Sequence, residues 1–323
     1  MLCRRLPIGG SVGYISSGPF YKVPNDQSID VLMRSINQLA KERRIQYVAI
    51  TPYVENEYLD KILEKNGYSP TQERLPPILT TRATLILDLS KELDTLLMDM
   101  RPETRREIKL ALKSELTVRE GDKKDLDTLF KLMSIVTKRR GEKPVPNSVD
   151  FFNSIWDYFH PRGYVKLLIV ELGGEPISTG IIFTFGNTVR FWKYGWSGEK
   201  RKMYPNQLLY WELIRWSKNN GFRFFDIVEI DPLITDHFSL GLPVTYELKS
   251  RRLYGPTLFK TGFGGKVVKF SGPWFRFQSP MVRYLYRHFG SSLLGMPYTK
   301  KLISKYTLAL RNLQPTLESL NKD

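Results

Sequence analysis

Cysteine is almost missing: Cys3 is the only one in 323 residues. A single thiol makes no disulfide within the chain and no thiolate metal cluster. Histidine is scarce as well. His160, His237 and His288 stand far apart, with no metal-ligand spacing and no Ser/His/Asp order, so no metal site is expected. No apolar run reaches the roughly 18 residues of a membrane-spanning helix. The start, MLCRRLPIGG, carries charge but no apolar stretch behind it, which excludes the pattern of a secretory leader. The expected location is cytoplasmic, or the inner face of the membrane. Acidic residues are also in deficit: 33 Asp and Glu stand against 49 Lys and Arg, a formal net charge of +16. That balance favours anionic partners, whether phosphates, nucleic acid or an acidic membrane surface.

What is abundant is core material. Hydrophobic residues make up 41% and aromatics 13% of the chain, enough for a sizeable interior, and the length suggests two domains. Residues 11–17 read as a strand, followed by a loop with Gly18, Pro19 and Pro24. Ile29, Leu32, Met33, Ile36 and Leu39 keep helical spacing behind a cap at Asp26 or Ser28. Residues 45–51 read as a buried strand, 59–63 as part of a helix ended by Asn66-Gly67, and 83–89 as a strand. A helix from Ser90 with Leu93, Leu96, Leu97 and Met100 inward is followed by another that Pro102 opens. On that second helix Arg105, Lys109 and Lys113 share one face, with Arg106 beside it and Glu103 and Glu107 near enough to pair. Asp122 and Ser148 are candidate caps of two more helices.

Residues 165–172, 177–185 and 188–194 then form an antiparallel meander, with Gly173-Gly174 and Gly186-Asn187 as hairpin turns. A basic loop, 199–202, leads through Pro205 into a helix ended by Gly221, and 222–228 reads as a strand. The segment LYGPTLFKTGFGG, 253–265, lacks the spacing of a phosphate loop, and its glycines suit a tight turn between strands. Lys260 lies within it, flanked by Phe259 and Phe263, a cation placed to be partly dry. The tail from Gly272 mixes Trp274, Phe275, Phe277, Tyr284 and Tyr286 with Arg276, Arg283 and Arg287. It suits packing on the first lobe or contact with an anionic membrane. One echo links the two halves. Tyr14, Gly18 and Pro52 recur as Tyr194, Gly198 and Pro232, each offset by 180 residues across a strand, loop, helix and strand.

Strand–loop–helix–strand units with hairpins suit an acetyltransferase-like (GNAT) fold. Four stretches go further. They are YISSGP from Tyr14, MRPETRREIKLA from Met100, WKYGWS from Trp192 (followed by Pro205-Asn206, Trp211, Gly221 and Phe225-Asp226), and LFKTGFGG from Leu258. In this order, over most of the chain, they resemble the Fem-type aminoacyltransferases of peptidoglycan assembly. The resemblance implies an α/β (α+β) fold of two GNAT-like lobes with mixed, largely antiparallel sheets. It also implies transfer of an amino acid from aminoacyl-tRNA, as co-substrate, to an amine of a UDP- or lipid-linked peptidoglycan precursor. Its Phe-Lys motif falls on Phe259 and Lys260, making these the catalytic candidates, with Lys260 the cation that stabilises the developing oxyanion. Arg105, Arg106 and Lys109 are candidates for holding phosphates, and Tyr194, Tyr204 and Asp226 for contacting substrate.

Family members with a coiled-coil arm insert it in the second lobe. Too few residues separate Asp226 from Leu253 for one here. Members also begin with a further strand and helix, and only a dozen residues stand ahead of Tyr14. The expected division is a first lobe over 1–118 lacking that start, a second over 119–270, and a tail, 271–323, packed on the first. Two other readings are carried forward. One is an N-acyltransferase using acetyl-CoA or another acyl-CoA in exopolysaccharide or lipid-linked sugar assembly. The other is a nucleic-acid-binding protein without catalysis.

Overall fold

A computed structural model describes residues 1–5, 11–16, 18–19, 27–52, 57–70, 83–284 and 286. The chain divides into two compact units, Met1–Arg82 joined by the segment from Lys269, and Ala83–Val268. The first unit opens with β1 (Leu2–Arg5), antiparallel to β2 (Ser11–Ser16). A strand thus does stand ahead of Tyr14. Helix α1 (Gln27–Glu42) crosses over to β3 (Ile45–Thr51), which runs parallel to β2. The crossover helix buries Ile29, Met33, Ile36 and Ala40, one stripe at helical spacing, against Val48 and Ile50 of β3. Helix α2 (Glu57–Lys65) adds Leu59, Ile62 and Leu63 to that core and leads to the short β4 (Ser69–Pro70).

The second unit begins with β5 (Ala83–Asp88), α3 (Leu93–Met98) and α4 (Pro102–Leu112). Next come β6 (Leu116–Glu120), α5 (Leu126–Arg139) and α6 (Val149–Phe159), then the meander β7 (Val165–Leu172), β8 (Glu175–Phe185) and β9 (Thr188–Trp196). Helix α7 (Pro205–Asn219) crosses over to β10 (Phe224–Asp226), which pairs parallel with β9 on one side and antiparallel with β5 on the other. Three short helices follow, α8 (Pro232–Ser239), α9 (Tyr246–Ser250) and α10 (Tyr254–Thr261), then β11 (Lys266–Lys269). The sheet order is β11-β5-β10-β9-β8-β7-β6. Alternation along β7 fills both sides. Leu167 and Ile169 face Leu129, Met133, Phe152 and Trp156 of α5 and α6, while Leu168 and Val170 face the core shared with Ile108, Leu209 and Leu213 of α4 and α7.

The chain then returns to the first unit. β12 (Trp274–Phe277) inserts antiparallel between β3 and β4, giving the order β1-β2-β3-β12-β4. The 180-residue echo is therefore structural: β2–α1–β3 and β9–α7–β10 are the same parallel crossover. Each is flanked by a strand from a distant part of the chain, β12 beside β3 and β5 beside β10. The mixed, largely antiparallel two-lobed α/β fold expected from the sequence is present, and no arm interrupts the short helices after Asp226.

Other expectations need correction. The first lobe does not run to residue 118. β5 hydrogen-bonds to β10, and α3 and α4 bury Leu96, Met100, Ile108 and Ala111 in the second core, so 83–118 lie with the second unit. The strand read over 222–228 is confined to 224–226, because the chain turns left-handed at Val228 and Glu229. The glycines of 262–265 end a helix and make no turn between strands. The tail begins as sheet: Trp274 and Phe275 are buried in the first unit, with Tyr286 packed against Phe275. Residues 287–323 of the expected tail lie outside the described residues.

Candidate active site

The parallel strands β9 and β10 pair only where Thr188–Arg190 meet Phe224–Asp226. β9 continues to Trp196 while β10 stops, so the strands part and leave a cleft between them. One wall comes from β9. Ile181 pairs with Lys193 and Ile182 with Phe191, so Trp192 is an extra residue, and this bulge re-aims the side chains that follow. The other wall is the turn after β10. Val228 and Glu229 both take φ of +43°, a region costly for a β-branched residue.

Asp226 holds that turn. It is 1% exposed; its Oδ1 accepts from Val228 N at 2.9 Å and from the Thr84 hydroxyl, and its Oδ2 lies 3.2 Å from Arg190 Nη1. Expected to contact substrate, Asp226 lies buried in the sheet, with Oδ1 holding the backbone of the turn and Oδ2 facing the Arg190 guanidinium without a hydrogen bond.

The braced turn presents two carbonyls to Lys260. Its Nζ donates to Val228 O at 2.8 Å and to Glu229 O at 2.9 Å. An ammonium has three hydrogens, so one remains for a ligand. Desolvation brings the Lys260 pKa down from 10.5 to about 8, with Glu229 and Asp226 opposing the fall and Arg140 and Arg252 adding to it. The partly dry cation read from the sequence is present.

Phe259, the other catalytic candidate, has its ring packed against the core. Its ring lies 5.1 Å from Tyr210 and 5.3 Å from Phe263, clamping α10 to the core while the next residue reaches the cleft.

The MRPETR and LFKTGFGG motifs form one joint. Arg101 N donates to Gly262 O at 2.9 Å, and the Arg101 guanidinium donates to Leu258 O. Gly264 (φ +76°) and Gly265 (φ +90°) lie so close to Asp99 O and Ile86 O that a Cβ would come within 2.9 and 2.8 Å. These glycines let α10 and the strand after it sit directly on neighbouring backbone.

Residues that sequence reasoning passed over complete the cleft. Glu229 receives Arg252 Nη2 at 2.5 Å, and Arg252 Nη1 lies 3.6 Å from Glu142. Arg140 Nη2 donates to the Tyr194 hydroxyl at 3.1 Å, which places this predicted residue at the cleft. Lys193, next to the bulge, has its pKa lowered by desolvation, against the pull of Glu229. Tyr204 takes φ of +58° at the cap of α7 and packs partly buried against the core.

Arg105, Arg106 and Lys109 come together with Pro102, Leu110 and Lys113 around a surface cavity of about 320 Å³ on the outer face of α4. Among the described residues none of these cations has a carboxylate partner. Glu107 instead accepts from Gln207 Nε2 at 2.9 Å. Arg105 also donates to Met98 O at 2.5 Å and Met100 O at 3.2 Å, closing the end of α3.

The loop from β9 to α7 is where an enzyme of this fold that uses coenzyme A cradles the pyrophosphate on glycine backbone. Here the Arg139 guanidinium fills the space a Cβ at Gly198 would take and donates to Ser197 O. Lys200 (φ +53°) and Tyr204 (φ +58°) are left-handed without being glycine, and Pro205 removes a donor from the helix start.

Residues 98–234, which include this strand pair and its crossover helix, match the acetyltransferase (GNAT) domain family. Within that class the Fem-type resemblance is borne out. The chain is 28% identical over 184 residues to the lipid II:glycine glycyltransferase of Staphylococcus saprophyticus, covering 55% of this chain and 44% of the relative. It is 28% identical over 185 residues to that of Staphylococcus aureus, covering 53% and 42%. The match thus takes in less than half the length of these curated relatives. The crystal structure of FemX shares the fold at a TM-score of 0.71 and 19% identity, covering 86% of this chain and 82% of that one. The structure of L-PGS from Bacillus licheniformis does so at a TM-score of 0.56 and 12% identity, covering 91% and 85%.

Proposed function

We propose that this chain transfers an amino acid from aminoacyl-tRNA to an amine of a lipid- or UDP-linked peptidoglycan stem peptide, at the cytoplasmic face of the membrane. The observation that carries the reading is Lys260, a desolvated ammonium with two hydrogens fixed on backbone carbonyls and one left for the cleft. The acceptor nitrogen attacks the ester carbonyl, forming the amide bond and breaking the bond to the ribose oxygen. Charge grows first on the carbonyl oxygen and then on the departing oxygen. The acceptor nitrogen loses a proton and the ribose hydroxyl gains one. The third Lys260 hydrogen stabilises the oxyanion, and a pKa near 8 suits an ammonium that also lends its proton to the leaving oxygen.

The row Arg105, Lys109, Lys113 starts beside the joint with α10 and runs away from it in steps of about 6 Å along the helix. An unpaired cationic row of this kind suits the phosphates of a polyanionic donor. The filled Gly198 position supports that donor over acyl-CoA.

Mass spectrometry of a precursor incubated with charged tRNA is expected to show one added aminoacyl residue, abolished by RNase. Transfer that survives RNase and requires acyl-CoA would overturn the reading. The Lys260 ammonium is full below about pH 7 and is lost as pH rises through about 8, where an ordinary lysine would stay charged to above pH 10. The rate is therefore expected to stand about tenfold below its plateau at pH 9. Lys260→Arg, which cannot titrate there, is expected to shift that limb upward at reduced rate. A profile flat to pH 9.5 in the native enzyme would remove the charged lysine from the transition state.

A further inference from the structure

Lys260 answers the developing oxyanion, but an acyl transfer also needs a group for the accepting amine. Such an amine enters as an ammonium and must shed a proton before its lone pair is free. The cleft is rich in charges of the wrong sign for it. Arg140 and Arg252 act on Lys260, and Lys193 of β9 shares with Lys260 the pull of one carboxylate, that of Glu229.

Two carboxylates act on the Lys260 ammonium, Glu229 and Asp226. Asp226 is 1% exposed, and its Oδ1 is engaged by Val228 N and the Thr84 hydroxyl. Glu229 differs. Its side chain is 36% exposed, and its Oε1 accepts from Arg252 Nη2 at 2.5 Å. Among the described residues nothing donates to its Oε2. Arg252 is itself held by Glu142, 3.6 Å from its Nη1, so the Glu229 carboxylate is anchored through one oxygen with the other open. The same residue gives its backbone carbonyl to Lys260 Nζ at 2.9 Å. One left-handed residue, φ +43°, therefore sets the position of the cation through its carbonyl and carries the open carboxylate oxygen on its side chain.

We propose that Glu229 Oε2 holds the accepting amine beside Lys260 and takes its proton. Glu229 has this role only if the chain transfers an acyl group to an amine, as proposed above. The carboxylate draws the ammonium into a cleft that would otherwise repel it. Lys260 and Lys193 then assist, because an ammonium placed among cations gives up its proton more readily. The nitrogen sheds two protons in all, one to Glu229 before it attacks the ester carbonyl and one as the amide forms. The second replaces the proton that Lys260 gives to the ribose oxygen as the ester bond breaks. The first passes from Glu229 to water.

The test compares the native chain with Glu229→Gln, which keeps an acceptor for Arg252. Transfer from mixed charged tRNA is followed by mass spectrometry at about pH 6.5, where the Lys260 ammonium is full. Two acceptors are used: the stem-peptide precursor that the native chain modifies, and its analogue with an alkoxyamine, uncharged at that pH, in place of the accepting amine. On the amine, Glu229→Gln is expected to lower kcat by about 10²-fold, the usual share of a general base. On the alkoxyamine, which has no surplus proton to shed before attack, the variant is expected to match the native chain. A variant with native turnover on the amine would overturn the role of Glu229 and leave the transfer reading standing. An equal loss on both acceptors would also overturn it, since a displaced Lys260 would slow both alike. A native chain that modifies no precursor would remove the transfer reading and this role together.

Discussion

Lys260→Met should lower kcat/KM for aminoacyl transfer by about 10²–10³-fold, the usual cost of removing one preorganised donor from an oxyanion, about 3–4 kcal/mol. Methionine nearly matches the lysine stem in length and removes a charge that burial disfavours, so the unfolding midpoint should not fall. The loss should appear in kcat more than in KM, because the oxyanion exists only in the transition state. Lys260→Met with near-native turnover would assign the chemistry elsewhere in the cleft. Glu229 and Lys193, whose charges act on each other, would be the next groups to test.

Asp226→Ala should have the largest effect on stability. It removes the acceptor for Val228 N and the Thr84 hydroxyl and leaves Arg190 without its 3.2 Å partner. Breaking a buried ion pair on one side costs about 3–5 kcal/mol, and the lower end applies because Arg190 is partly exposed. For a unit of this size, about 3 kcal/mol corresponds to a fall of roughly 6–12 °C in unfolding midpoint. Transfer should fall well below that temperature too. Without the brace the left-handed turn relaxes, and the two carbonyls that orient Lys260 move with it. Asp226→Asn retains an acceptor for Val228 N while losing the charge, so it should lie between native and alanine in both measurements. If Asp226→Ala loses stability but keeps its full rate at low temperature, the turn does not orient the lysine.

The fold was legible where the pattern is local. The period-two strands of the meander, the Gly-Gly hairpin and the crossover helices fall at or near their expected places, because each is specified by neighbours in sequence. The exchange of strands was not. Trp274–Phe277 reads as an aromatic tail, since nothing in four residues states that their partners lie at 47–50. In the cleft, Lys260 stood out through its aromatic flanks and its family-like motif. Arg140, Lys193, Glu229 and Arg252 did not, because charges separated by tens of residues carry no period. The Val228–Glu229 turn is opposed by local propensity. Valine disfavours left-handed backbone, so the conformation is imposed by Asp226 from the strand before it.

The position of β12 also bears on synthesis. β3 ends at Thr51, yet its antiparallel neighbour begins only at Trp274. At 5–20 residues per second, a ribosome needs on the order of 10–45 s to deliver that neighbour. Throughout this interval the nascent amino-terminal sheet exposes the hydrogen-bonding edge of Ile45–Thr51, a strand apolar enough to recruit a wrong partner. The first unit cannot be finished before the second has been translated, and chaperone attention during elongation should concentrate on that edge.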